Sequence, residues 1–125
     1  MTIVLSFDVD GTLEVGDPPG PITMDMVRRA KEYGCIIGSC SDRSLGEQRA
    51  IWVTHNIPVH FVSLKHRLAE VKASFPADSY YHIGDTNMDR QAAREAGFDF
   101  LTQHDGAREP WIQSMNGLGQ AKDKS

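Results

Sequence analysis

The sequence predicts an α/β protein in which a parallel sheet of about five strands lies between two layers of helices. Short apolar runs alternate five times with segments of helical periodicity. The first run is apolar almost throughout rather than alternating, as a strand buried on both faces is. The helical segments start near capping residues and stop at Gly or Asn.

In order, residues 3–7 (Ile-Val-Leu-Ser-Phe) form the first strand. A stretch from Gly11 to Pro21 follows, where Pro18, Pro19, Gly20 and Pro21 forbid regular structure. Thr23 caps a helix carrying Val27, Ala30 and Lys31, and Gly34 stops it. Residues 35–40 form the second strand. A helix over 44–55 is ended by Asn56 and Pro58, and residues 59–62 form a third strand. Leu68, Val71 and Phe75 give one apolar face to a helix around 65–74. Residues 80–83 form the fourth strand. Met88, Ala92, Ala93 and Ala96 mark the packing face of the next helix, ended by Gly97, and residues 98–101 form the fifth strand. A last helical turn is expected over 109–114, anchored by Trp111 and Ile112, with a frayed tail over 116–125. The result is a Rossmann-like three-layer sandwich, with one core domain over 1–115.

With 125 residues and 40% apolar content the chain can bury a core without staples. Eleven Gly and six Pro exclude collagen-like and low-complexity classes. Thirteen Lys and Arg against seventeen Asp and Glu leave a net charge of −4, the wrong sign for holding a nucleic-acid backbone. Two cysteines, Cys35 and Cys40, are too few for a disulfide framework, and in one strand they face opposite sides. No basic region followed by an apolar segment opens the chain, and no run approaches a membrane span, so a cytoplasmic protein without membrane partners is expected.

In an open parallel sheet, sites form outside the carboxyl ends of the strands. The polar residues there are Asp8, Asp10, Gly11 and Thr12 after the first strand, and Ser41, Asp42 and Arg43 after the second. Lys65 and His66 follow the third, and Gly84, Asp85, Asn87 and Asp89 the fourth. Three acids, a hydroxyl and a lysine from four strand ends suit a hard cation such as Mg²⁺. Trp52 and Trp111 read as packing anchors, and Asp42 as a helix N-cap.

Asp8-Val9-Asp10-Gly11-Thr12-Leu13 after an apolar strand, with Gly84-Asp85-Thr86-Asn87-Met88-Asp89 after a later one, resembles the first and fourth motifs of the haloacid dehalogenase-like hydrolase superfamily. Ser41 resembles the second-motif hydroxyl and Lys65 the third-motif lysine. Ser39 competes with Ser41, which is preferred because a hydroxyl, a further residue and an arginine (Ser41-Asp42-Arg43) stand together there. Lys72 competes with Lys65, which is preferred for its place at a helix start.

The resemblance implies a phosphomonoester phosphatase with Mg²⁺ as cofactor. Asp8 would be the nucleophile, forming an aspartyl-phosphate, and Asp10 the general acid and base. Ser41 and Lys65 would complete the catalytic set, with Gly11, Thr12 and Asp42 also on the phosphate. Asp8, Asp10 through its backbone carbonyl, and Asp85 would hold the metal, with Asp89 acting through water or on Lys65. Cap domains of this superfamily sit between the first and second or the second and third motifs, where this chain has room for neither. A capless site takes a large phosphorylated macromolecule, or a phosphorylated small molecule under a lid lent by a neighbour in a homo-oligomer. The alternative is a catalytically idle domain that binds metal and a partner.

Overall fold

The structure, a computed structural model, describes residues 1–112. Five strands, β1 (Ile3–Phe7), β2 (Ile36–Ser41), β3 (Phe61–Leu64), β4 (Ser79–Gly84) and β5 (Asp99–Thr102), form one sheet. Their order is β3-β2-β1-β4-β5 and every pairing is parallel. The helices are α1 (Met24–Glu32), α2 (Leu45–Thr54), α3 (Leu68–Ser74), α4 (Asn87–Ala96) and α5 (Gln103–Gly106).

Two clusters of side chains clamp the sheet. Ile3, Leu5 and Phe7 of β1 pack with Val27 and Ala30 of α1 and Trp52 of α2. Val4 packs on the other face with Leu68 and Val71 of α3 and Ala93 of α4. All five residues of β1 are buried, as a central strand covered on both faces requires. The chain runs outward from β1 through β2 to β3, then returns to β4 on the far side of β1. The carboxyl ends of β1 and β4 therefore bound the crevice of an open doubly wound sheet. No described helix is long and apolar enough to cross a membrane.

Helix boundaries follow their caps. Thr23 Oγ1 accepts from the Met26 amide at 3.1 Å and Ser44 Oγ from the Glu47 amide at 3.1 Å. The cap of α2 is thus Ser44, not Asp42. Gly97, at φ +80°, closes α4 in the left-handed conformation. Cys35 and Cys40 are free and buried in opposite clusters.

Three expectations are corrected. The third strand starts two residues late, because His60 Nδ1, not a main-chain carbonyl, accepts the Ile37 amide at 3.0 Å. The helix expected over 65–74 opens with a 3₁₀ turn, Lys65–Arg67, before α3. Met88 is exposed and Asp89 is buried, while Ala93 and Ala96 pack as expected. The short helix α5, capped by Thr102, follows β5 directly. Trp111 packs edge-on to Phe7 at 6.0 Å, in a turn over 110–112, and Trp52 is likewise buried. The rest of the expected last turn, and the tail over 116–125, lie outside the described residues.

Candidate active site

After β1 the chain does not stay extended. The Val9 carbonyl accepts the amides of Thr12 and Leu13, forming a tight turn that is covered by the loop back to Ile22. Asp8 and Asp10 nonetheless face one hollow of about 180 Å³, shared with Pro18, Ser41, Asp42, Lys65, Asp85 and Thr86. Apolar hollows of about 210 and 400 Å³ lie along β3 and beside Trp52. Chemistry, not size, singles out the smaller one.

Its centre is Lys65, carried in by the 3₁₀ turn directly after β3. Nζ stands 3.3 Å from Asp8 Oδ2, 3.1 Å from Asp89 Oδ1 and 3.6 Å from Asp42 Oδ2. Burial alone would lower the pKa of Lys65, but the Asp8 and Asp89 carboxylates outweigh it and keep the ammonium charged. Asp8 lies deep; burial, then the Asp89 charge, push its carboxyl up to about 8 against the pull of Lys65.

Asp89 is fully buried and saturated. Oδ1 meets His82 Nε2 at 2.9 Å as well as Lys65. Oδ2 accepts from Thr86 Oγ1 at 2.8 Å and from the amides of Thr86 and Asp85 at 3.2 and 3.3 Å. Burial disfavours its charge, but the bond from His82 and the neighbouring Lys65 hold it well below the usual carboxylate range. Thr86 and Asp89 form a capping box, so the Gly84-Asp85 corner and the start of α4 are one unit. A side chain at Gly84 would overlap Asp89. Asp89 thus anchors Lys65, the second of the two roles expected for it.

Asp85 differs: it is exposed, and among the described residues its carboxylate has no hydrogen-bond or ion-pair partner. Asp8, Asp85 and Asp89 each place an oxygen within 4.8 Å of the others. An all-oxygen set with one unneutralised carboxylate fits a hard divalent cation between Asp8 and Asp85. Gly11, at φ +73°, makes room for the Asp85 carboxylate, which a Cβ there would run into.

Asp10 is held from three directions. Arg43 Nη2 reaches Oδ1 at 2.7 Å, Nε reaches Oδ1 and Oδ2 at 3.2 and 3.1 Å, and the Asp17 amide donates to Oδ1 at 2.8 Å. This guanidinium keeps Asp10 below the ordinary carboxylate value, outweighing partial burial.

The structure separates the competing pairs. Ser41 lines the hollow and accepts the Arg43 amide at 3.1 Å. Ser39 is spent inside, donating to Gln48 Oε1 at 2.7 Å and accepting from Trp52 Nε1 at 2.9 Å. Lys72 lies elsewhere, on the Gly97 carbonyl and above the Tyr80 ring. The amides of Gly11 and Thr12 serve the Pro18 and Val9 carbonyls, and Thr12 is fully buried. Asp42 lines the hollow, but its carboxylate would repel a phosphoryl oxygen. His66 borders a separate hollow beside α4.

Sequence reasoning missed His82, which joins Asp89 to Ser6 Oγ at 2.9 Å. The signal was there: Ser6 and His82 are polar residues in two central strands, and they fall opposite each other in register.

No protein-family model matches the chain, and no curated protein matches it in sequence. Among solved structures it is similar to the NMR structure of the core domain of "a putative phosphoglycolate phosphatase" from Streptococcus pneumoniae TIGR4. The TM-score is 0.62 at 16% identity, over 82% of this chain and 80% of that one. At that identity the likeness is one of fold: a small α/β core with a five-stranded parallel sheet.

Proposed function

We propose that the chain is a Mg²⁺-dependent phosphomonoester phosphatase of the haloacid dehalogenase-like kind, acting without a cap domain. The observation that carries this is Lys65, bound between Asp8 and Asp89, beside Asp85, which has no partner among the described residues, at the mouth of the sheet crevice. The fold shared with a phosphatase core domain supports it.

Asp8 and Asp85, with the Asp10 carbonyl, would hold Mg²⁺, which when bound supplies positive charge against the two carboxylates and the phosphoryl oxygens. Asp8 attacks phosphorus through a carboxylate oxygen, and the bond to the ester oxygen breaks with its electron pair leaving on that oxygen. Asp10 gives the leaving oxygen its proton. Water then attacks the aspartyl-phosphate, Asp10 takes the proton, and the bond between phosphorus and Asp8 breaks to give inorganic phosphate. Lys65 offsets charge on the transferred group, and Ser41 Oγ donates to one of its oxygens. Arg43 holds Asp10 ionised, which suits the base role; the acid role requires Arg43 to release it. The substrate is a phosphorylated small molecule, or a phosphorylated macromolecule that covers the open hollow itself, and a neighbouring subunit is the remaining candidate for a lid.

The test is hydrolysis of an aryl phosphate with Mg²⁺ and with chelator, beside Asp8→Asn. Activity that needs both Mg²⁺ and Asp8 is expected. A folded wild type that binds Mg²⁺ yet hydrolyses no phosphate ester would leave a binding domain.

A further inference from the structure

The two cations of the crevice are placed differently. Lys65 is 11% exposed and faces three carboxylates, so its charge is spent within the hollow. Arg43 stands at the rim with 26% of its side chain exposed, on an Asp10 side chain that is 38% exposed. Its backbone is fixed, with the amide on Ser41 Oγ and the carbonyl accepting from Gln48 Nε2 at 2.9 Å. Only the tip is free to change partner. Among the described residues, Nη1 donates to nothing. The pair is partly exposed, so a substrate anion can reach the guanidinium and replace Asp10 with a contact of the same kind. Asp42, an exposed acid at the rim, pairs with Lys65 rather than with Arg43.

Resting on the phosphatase reading, we propose that Arg43 is the specificity-determining residue of this site. It exchanges Asp10 for a second anionic group of the substrate, a carboxylate or further phosphate a few atoms from the phosphoryl group. The planar fork that now grips a carboxylate is the right shape for either. The exchange also frees the Asp10 carboxyl from three of its hydrogen bonds as the substrate arrives. Selection would thus be built into the core itself, where no cap contributes residues.

The experiment uses two phosphate monoesters of equal length, one ending in a carboxylate and one in the corresponding amide, with Mg²⁺ present. For the wild type, kcat/KM is expected to favour the carboxylate about tenfold or more, as one charge-assisted hydrogen bond allows. In Arg43→Ala the ratio of the two falls to near one, and Arg43→Lys retains part of it. Equal treatment of both esters by the wild type would overturn the proposal. So would an Arg43→Ala variant that loses both equally, since Arg43 would then only position Asp10. Calorimetric binding of the same esters to Asp8→Asn, with and without Arg43→Ala, separates this from the parent reading. A carboxylate preference in binding that vanishes with Arg43 upholds the assignment even where no ester is hydrolysed, and its absence overturns the assignment even where both are.

Discussion

Asp89 Oδ1 lies 3.1 Å from Lys65 Nζ, so the second acid of the Gly84–Asp89 motif pairs with the lysine. The pair is buried, with His82 and Thr86 completing the carboxylate. Breaking it leaves an ammonium in the interior with only Asp8 close by and the exposed Asp42 beyond.

Asp89→Ala is therefore expected to cost about 3–5 kcal/mol, the range for removing one partner of a buried ion pair. Asp89→Asn, which keeps the bond from Thr86 Oγ1, should cost less. Urea unfolding measures both. An alanine variant that unfolds at the wild-type midpoint would show that Lys65 does not depend on Asp89.

Asp8 gives a pH dependence of unusual sign for an acid. Its folded pKa is raised to about 8 from an ordinary 3.8. Between those values the folded state binds more protons than the unfolded, so this group's contribution falls as pH rises, with the full penalty present above 8. Without divalent cation, Asp8→Asn is expected to be more stable than wild type at pH 8, by on the order of 2 kcal/mol, and to lose that advantage toward pH 4. Saturating Mg²⁺ should reverse the order at pH 8, because the cation binds the carboxylate and not the amide. Melting temperatures at pH 5, 6.5 and 8, with and without Mg²⁺, decide it.

Much of this was legible in the sequence for a physical reason. Periodicity and caps set the five strand–helix alternations, and a parallel sheet puts its strand ends on one edge, so Asp8, Asp10, Ser41, Lys65 and Asp85 share a hollow. What was not legible is how polar atoms are shared out. Nothing local says that Asp89 is saturated, that the Gly11 and Thr12 amides are spent within their own turn, or that Arg43 grips Asp10 across 33 residues of chain. The late start of β3 turned on one His60 ring nitrogen taking the place of a carbonyl.

Ser39 and Ser41, two residues apart, should separate stability from activity. Ser39→Ala leaves the Trp52 indole N–H and the Gln48 carbonyl without their buried partner, and is expected to cost about 1–3 kcal/mol. Ser41→Ala loses only the acceptor for the Arg43 amide, so its stability change should be within about 1 kcal/mol while phosphatase activity falls at least tenfold. Urea midpoints and kcat/KM with an aryl phosphate test the pair. The opposite pattern would make Ser39 the functional hydroxyl.

Gly11 and Gly97 share a left-handed backbone but differ in what stands over them. A Cβ on Gly97 meets the flexible tip of Lys72, whereas one on Gly11 overlaps the Asp85 carboxylate. Both alanine variants therefore carry a backbone strain of roughly 1 kcal/mol. Only Gly11→Ala must also displace Asp85, the one carboxylate of the cluster left without a partner among the described residues. Mg²⁺ affinity, read by calorimetry, is expected to fall more than tenfold in Gly11→Ala and to stay within twofold of wild type in Gly97→Ala. Equal affinities in the two variants would remove Asp85 from the metal site, since its position would then not matter to the cation.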